Sequence, residues 1–171
     1  MTARSAAWET PRWNLTSYMM LYHLLRSIIF GVRLVLDTDV VIAAMRSPTG
    51  GSAELLRRIR LGNATMLMTV ALALEYEALC RTAEHRLASG LSAAEVDIFV
   101  DRLISMAEPV ELYFRWRPQL RDPGDELVLE AAVNGRAEAI VTFNVKDLRD
   151  AERSFGIAVI RPGEALRRIK P

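Results

Sequence analysis

The sequence predicts a three-layer α/β fold with a mainly parallel central sheet, and three observations carry that prediction. The run Leu34-Val35-Leu36 is wholly apolar, follows a basic residue and stops at Asp37. A strand buried on both faces of a parallel sheet reads this way. A similar run, Ala139-Ile140-Val141-Thr142, recurs late in the chain. Between them, segments with helical spacing alternate with short apolar runs, the pattern of strand–helix–strand units.

Composition narrows the function classes. The chain has 171 residues, of which 51% are hydrophobic and 25% charged, enough for one packed core and unlike a disordered chain. A formal net charge of +1 gives no overall attraction to nucleic acid, so such a partner needs locally basic surface. Cys80 is the one cysteine. It excludes an intrachain disulfide, leaves too few thiolates for a sulfur-ligated metal, and suits a reducing cytoplasm.

Residues 1–31 read differently from the rest, as an N-terminal extension that is helical or poorly ordered. The stretch from Tyr18 to Phe30 is apolar but interrupted by His23 and Arg26. A membrane span needs about 20 predominantly apolar residues. Reaching that length would consume Arg33 and the first strand. A clear small-residue cleavage site for a signal peptide is also missing. The expectation is a short amphipathic helix and no membrane role. Alternatively, translation starts at Val32, if that valine has a GTG codon. The domain itself is expected over residues 32–171.

From residue 32 onward the elements follow in order. Thr38 or Asp39 can cap a helix reaching about Met45. Pro48, Gly50 and Gly51 mark a loop. Ser52 can cap a second helix with Leu55, Leu56 and Ile59 inward, which Gly62-Asn63 ends. Thr65 to Met68 reads as a second strand. One long helix is expected from Val70 to Ala88, its stripe formed by Leu72, Tyr76, Leu79, Ala83 and Leu87. Ser92 to Glu95 form a capping box opening another helix, and the two helices form a hairpin beside the sheet. Pro109 to Leu112 suits a third strand. A helix from Glu126 to Asn134 follows, closed by Gly135. Ile157 to Ile160 is a last strand, and Pro162 starts a terminal helix.

Three acids emerge at chemically useful places. Asp37 follows the first strand, where ligands gather in parallel sheets. Glu75 lies on the rim of an apolar helical stripe, where an acid without a partner is costly. Asp125 stands at a helix start. Asn144 follows a late strand. Taken singly, each has a plain structural reading: Asp37 and Asp125 as caps, Glu75 as a rim charge paired with an arginine, Asn144 as a turn residue. Taken together, they would need a cation. Oxygen-only ligands suit Mg2+ or Mn2+ rather than zinc. Such a site can activate water and clamp a phosphodiester.

The motifs carrying these residues are Asp37-Thr38-Asp39, Glu75-Tyr76, Asp122-Pro123-Gly124-Asp125 and the run from Val141 to Leu148. In that order and spacing they resemble PIN domains, and most closely the VapC-type ribonuclease toxins of bacterial toxin–antitoxin pairs. The resemblance covers about residues 33 to 168. It implies a PIN-like fold and a Mg2+- or Mn2+-dependent endoribonuclease that acts on RNA. Asp37, Glu75 and Asp125 match the family's first three acids, Asn144 its fourth position, and Thr142 and Thr38 its hydroxyl residues. It also implies a homodimer silenced by a cognate antitoxin protein.

Two departures stand out. Asp39 is an acid where the family usually has Asn, and Asn144 contributes no charge. Asp147 could compensate through the cation or a water. Asp122 suits a turn better than a ligand position. Arg57, Arg58 and Arg60 form a solvated helix face or touch phosphates, and Arg115-Trp116-Arg117 is a loop around a packed tryptophan or a site that combines charge with a stacking surface. Two rivals remain at this stage. One is a non-catalytic PIN-like module that binds RNA or protein. The other is a receiver-type phosphotransfer domain using Lys146.

Overall fold

A computed structural model describes residues 31–115, 117, 119–120 and 123–169, without the side chains of residues 150 and 151. The expectations for residues 1–30, and those for Trp116 and Asp122, lie outside the described residues.

Among the described residues five strands form one sheet: β1 (Val32–Leu36), β2 (Ala64–Met68), β3 (Ala107–Pro109), β4 (Ala139–Val141) and β5 (Ala158–Ile160). Their spatial order is β3-β2-β1-β4-β5, and every neighbouring pair is parallel. The position of β1 explains its composition. With β2 on one side and β4 on the other, Leu34, Val35 and Leu36 have no exposed surface. The edge strand β3 has only three residues and contains Glu108 and Pro109, which blunt it against further pairing. This order also removes the receiver-type reading, whose sheet runs 2-1-3-4-5.

The helices are α1 (Thr38–Arg46), α2 (Gly51–Arg60), α3 (Val70–Cys80), α4 (Ala83–Ser89), α5 (Ala93–Met106), α6 (Pro123–Asn134), α7 (Arg149–Phe155) and α8 (Pro162–Arg168). Helix α6 packs on β1, β2 and β4, whereas α2 packs on β2 and α8. Right-handed crossovers place the β1–β2 and β3–β4 connections on opposite faces of the sheet. The three-layer α/β architecture is the one the sequence predicts. Helices α3 and α5 pack together as the expected hairpin. The Ser92–Glu95 capping box is present in full.

Several elements differ from the sequence reading. The long helix from Val70 to Ala88 is two helices. The Thr82 hydroxyl donates to the Leu79 carbonyl at 2.9 Å and accepts from the His85 N–H, so it ends α3 and caps α4. A hydroxyl close to the backbone competes with helical hydrogen bonding in this way. Leu87 is consequently 77% exposed rather than part of the stripe. Helix α2 begins at Gly51 with Gly50 as its cap; Ser52 is buried inside it, its hydroxyl without a partner among the described residues. Strand β3 starts immediately after α5, at Ala107, instead of at Pro109. Helix α7 has no counterpart in the sequence reading. It is short and polar, and Gly156 closes it at φ 67°, a left-handed turn that suits glycine.

Candidate active site

Asp37 is the residue at which β1 stops and α1 starts. Its N–H still belongs to the sheet, donating to the Val141 carbonyl at 2.8 Å. Its Oδ1 accepts from the Thr38 N–H at 2.6 Å, which makes it the N-cap of α1. Capping uses one oxygen only. Oδ2 accepts from the Thr142 hydroxyl at 2.7 Å, and the side chain is buried at 6% exposure.

Thr142 follows β4, the strand beside β1, and is wholly buried. Its hydroxyl is also 3.3 Å from Asp39 Oδ2 and accepts from the Asn144 N–H at 2.9 Å. A hydroxyl has one proton, so it satisfies one of the two carboxylates at a time. Asp39 Oδ2 additionally accepts from the Phe143 N–H at 2.9 Å, while the buried Oδ1 has no well-formed hydrogen bond among the described residues. Burial, and then the neighbouring Asp37 charge, push the Asp39 carboxyl up to about 6 against those hydrogen bonds. Among the described residues no basic side chain forms an ion pair with Asp37 or Asp39.

The other two acids arrive on elements docked near this point. Tyr76, the largest fully buried side chain, donates its hydroxyl to the carbonyl of Leu36. That bond joins the residue after Glu75 to the residue before Asp37. Burial and the nearby Asp37 charge hold the Tyr76 phenol well above its usual range, so it stays a donor. Asp125 lies in the first turn of α6 rather than ahead of it, and α6 packs on both β1 and α3. Because α6 leads into β4, its N-terminus lies at the same carboxyl edge of the sheet as Asp37. Glu75 and Asp125 are both half-buried. Even so, among the described residues no three His, Cys, Asp or Glu side chains are grouped as a metal-holding set. The structure thus joins Asp37, Asp39 and Thr142 directly, and Asn144 through its backbone. It brings the helices of Glu75 and Asp125 alongside without joining their carboxylates to that set.

Residues 33–146, more than half of the chain, match the family model described as the PIN domain. The chain belongs to the PIN-domain family. The matched stretch includes Asp37, Glu75, Asp125, Thr142 and Asn144. In structure, this PIN domain is similar to a chain of VapBC2 from Rickettsia felis, in a crystal structure bound to a DNA fragment from their promoter. The TM-score is 0.53 at 15% identity, covering 75% of this chain and 97% of that one. At that identity the likeness speaks for the fold. No curated protein matches the sequence.

The donor atoms of the PIN-domain site fit a hard divalent cation. Two carboxylates approach one hydroxyl, and among the described residues one buried carboxylate oxygen has no well-formed hydrogen bond, while the His85 imidazole lies across the groove from Asp39. The remaining candidates are placed less centrally. The Asn144 amide donates to the Asp147 carboxylate, and both residues are exposed. Arg57 and Arg58 are tied to Glu54, and to the carbonyls of Pro48 and Ile169. Arg117 makes a two-pronged ion pair with Glu130 at 2.7 and 2.8 Å. Arg60 and Arg115 are exposed.

The sequence reading missed Glu126 and Glu130, both nearly buried. Glu126 accepts from the Gln119 and Leu120 N–H groups, and Glu130 holds Arg117. Together they pin the segment leading toward Asp125. Their spacing of four along an otherwise apolar helix face was the available signal. Beside the acids, a groove of 580 Å³ runs from Thr38 and Asp39 past Ile42 and Ala43 to Arg46 and Ser47, with Leu79 and His85 opposite.

Proposed function

We propose that this PIN domain is a Mg2+- or Mn2+-dependent endoribonuclease, the toxin half of a type II toxin–antitoxin pair acting in the cytoplasm. The observation that carries the reading is the pair of carboxylates, Asp37 and Asp39, meeting at the Thr142 hydroxyl at the carboxyl edge of β1 and β4 with no basic partner among the described residues. The position itself supports it. Connections leave β1 in one direction and β4 in the other, and ligands of open parallel sheets bind at such a switch point.

Asp37, Glu75, Asp125 and Asn144 would hold the cation, directly or through water, and Thr142 would keep the Asp37 carboxylate oriented. A bound Mg2+ or Mn2+ supplies an activated water and neutralises charge on the phosphodiester. Asp39, Thr38, Asp122 and Asp147 would support the ligands. Arg60 and Arg115, exposed and in no ion pair among the described residues, suit phosphate contacts; Arg57, Arg58 and Arg117 would first have to leave their partners. Residues 32–171 would form the nuclease domain and residues 1–31 an extension.

The partners are an RNA substrate, a second copy of the chain and a cognate antitoxin. The structural likeness to a chain of VapBC2 supports the antitoxin, and the groove beginning at Asp39 offers it a seat. Val70 and Leu74, one turn apart on α3 and 78% and 59% exposed, offer apolar surface for dimerisation. Among the described residues no helix is long and apolar enough to cross a membrane.

The test is cleavage of a structured RNA by the purified chain. Cleavage should require Mg2+ or Mn2+, stop with EDTA and disappear in Asp37→Asn. Full activity in Asp37→Asn would remove the catalytic reading. RNA binding without cleavage by the wild type would favour a binding module.

A further inference from the structure

We propose that Asp39, rather than Asn144, is the second fixed oxygen ligand of the cation pocket beside Asp37, exchanging the holding and supporting roles given to those two residues above; the assignment rests on the metal-dependent reading. Asp39 is held in place from outside its own helix. Its Oδ2 is gripped by the Phe143 N–H at 2.9 Å and approached by the Thr142 hydroxyl at 3.3 Å, both from the segment after β4. That segment also places the Thr142 hydroxyl 2.7 Å from Asp37. The two acids are therefore registered against each other by one residue.

The structural work of residue 39 does not require a charge. An asparagine carbonyl would accept from the Phe143 N–H equally well, and its amide would add a donor near Asp37. An acid here brings instead a second carboxylate within 3.3 Å of the hydroxyl that Asp37 already holds at 2.7 Å, and a buried Oδ1 with no well-formed hydrogen bond among the described residues. Both are unfavourable in a metal-free protein. A group that costs stability and is not needed for the fold has a use where a cation lies against it. Asn144 is placed otherwise. It is exposed, uncharged, and its amide is engaged by Asp147.

The experiment is calorimetric titration of Mn2+ into the full chain, for the wild type, Asp39→Asn and Asn144→Ala, with melting curves of each in EDTA. Asp39→Asn is expected to melt higher than the wild type in EDTA, yet to bind Mn2+ about ten- to a hundredfold more weakly. Asn144→Ala is expected to lose much less affinity. Should Asp39→Asn not fold, Asp39→Ser carries the same comparison. Unchanged Mn2+ affinity at position 39, or a larger loss from Asn144→Ala, overturns the assignment while leaving the metal reading intact. A wild-type chain that binds no Mn2+ overturns both.

Discussion

At the residue scale, Asp37 shows how a structural and a chemical role coexist. One oxygen caps α1, and the other faces Thr142. The sequence offered Thr38 or Asp39 as the cap as well as Asp37, and both of those lie inside α1. The contact with Thr142 was not legible, because it spans 105 positions. The same holds for Asp39, whose neighbours come from residues 142 and 143. Its raised carboxyl has a consequence for stability. The folded group binds its proton up to about 6, against 3.8 for the unperturbed one. Between those values the native state holds more protons than the unfolded state, so this group's contribution falls as pH rises through that window. In EDTA, the melting temperature of Asp39→Asn should therefore exceed that of the wild type most at pH about 7 and least at about 5. Calorimetry at both pH values checks this, and a gap that widens on acidification counts against the buried-acid description. Arg117 makes the opposite point. Its loop read either as a packed turn or as a surface for RNA, and Glu130, 13 positions away, holds its guanidinium.

At the element scale, periodicity located most helices and misplaced their ends. The stripe through Leu72 and Tyr76 was visible, but the break at Thr82 was not, since one hydroxyl decided it. Strand β3 begins earlier than its sequence suggests, because pairing with β2 matches Ala107 to Met66. Gly135, expected as a helix stop, has a stricter reason to be glycine. A Cβ there would lie 2.7 Å from the Ala131 carbonyl and 2.9 Å from both Leu67 and Val110. The end of α6 thus sits against β2 and the chain after β3 with no space for a methyl group. Gly135→Ala should cost about 1–3 kcal/mol, read from urea unfolding, because an over-packed site must shift its neighbours. An unchanged midpoint would show that α6 can move away. Because Asp125 opens the same helix, a shift of α6 should also weaken Mn2+ binding.

At the scale of the whole molecule, the sheet order decides where the acids meet. The chain builds outward from β1 to β2 and β3, then returns to β4 on the other side. Asp37 and Thr142 become neighbours only through that return. The family match begins at residue 33, where β1 is already under way. A chain beginning at Val32 should therefore fold, with a cooperative melt and the same Mn2+ affinity as the full chain. Insolubility of the shorter chain, while the full chain folds, would assign residues 1–31 to the domain instead.

The sequence by itself determined the buried strands, the helical faces and the family motifs. Each depends on the order of apolar and polar residues over a few turns or strand positions. Only the tertiary structure decided that Asp39 shares Thr142 with Asp37, that Glu126 and Glu130 serve the loop before α6, and that Arg117 is occupied. Those contacts follow from which strands lie side by side, and strand order is set by packing across the whole core rather than by any local pattern.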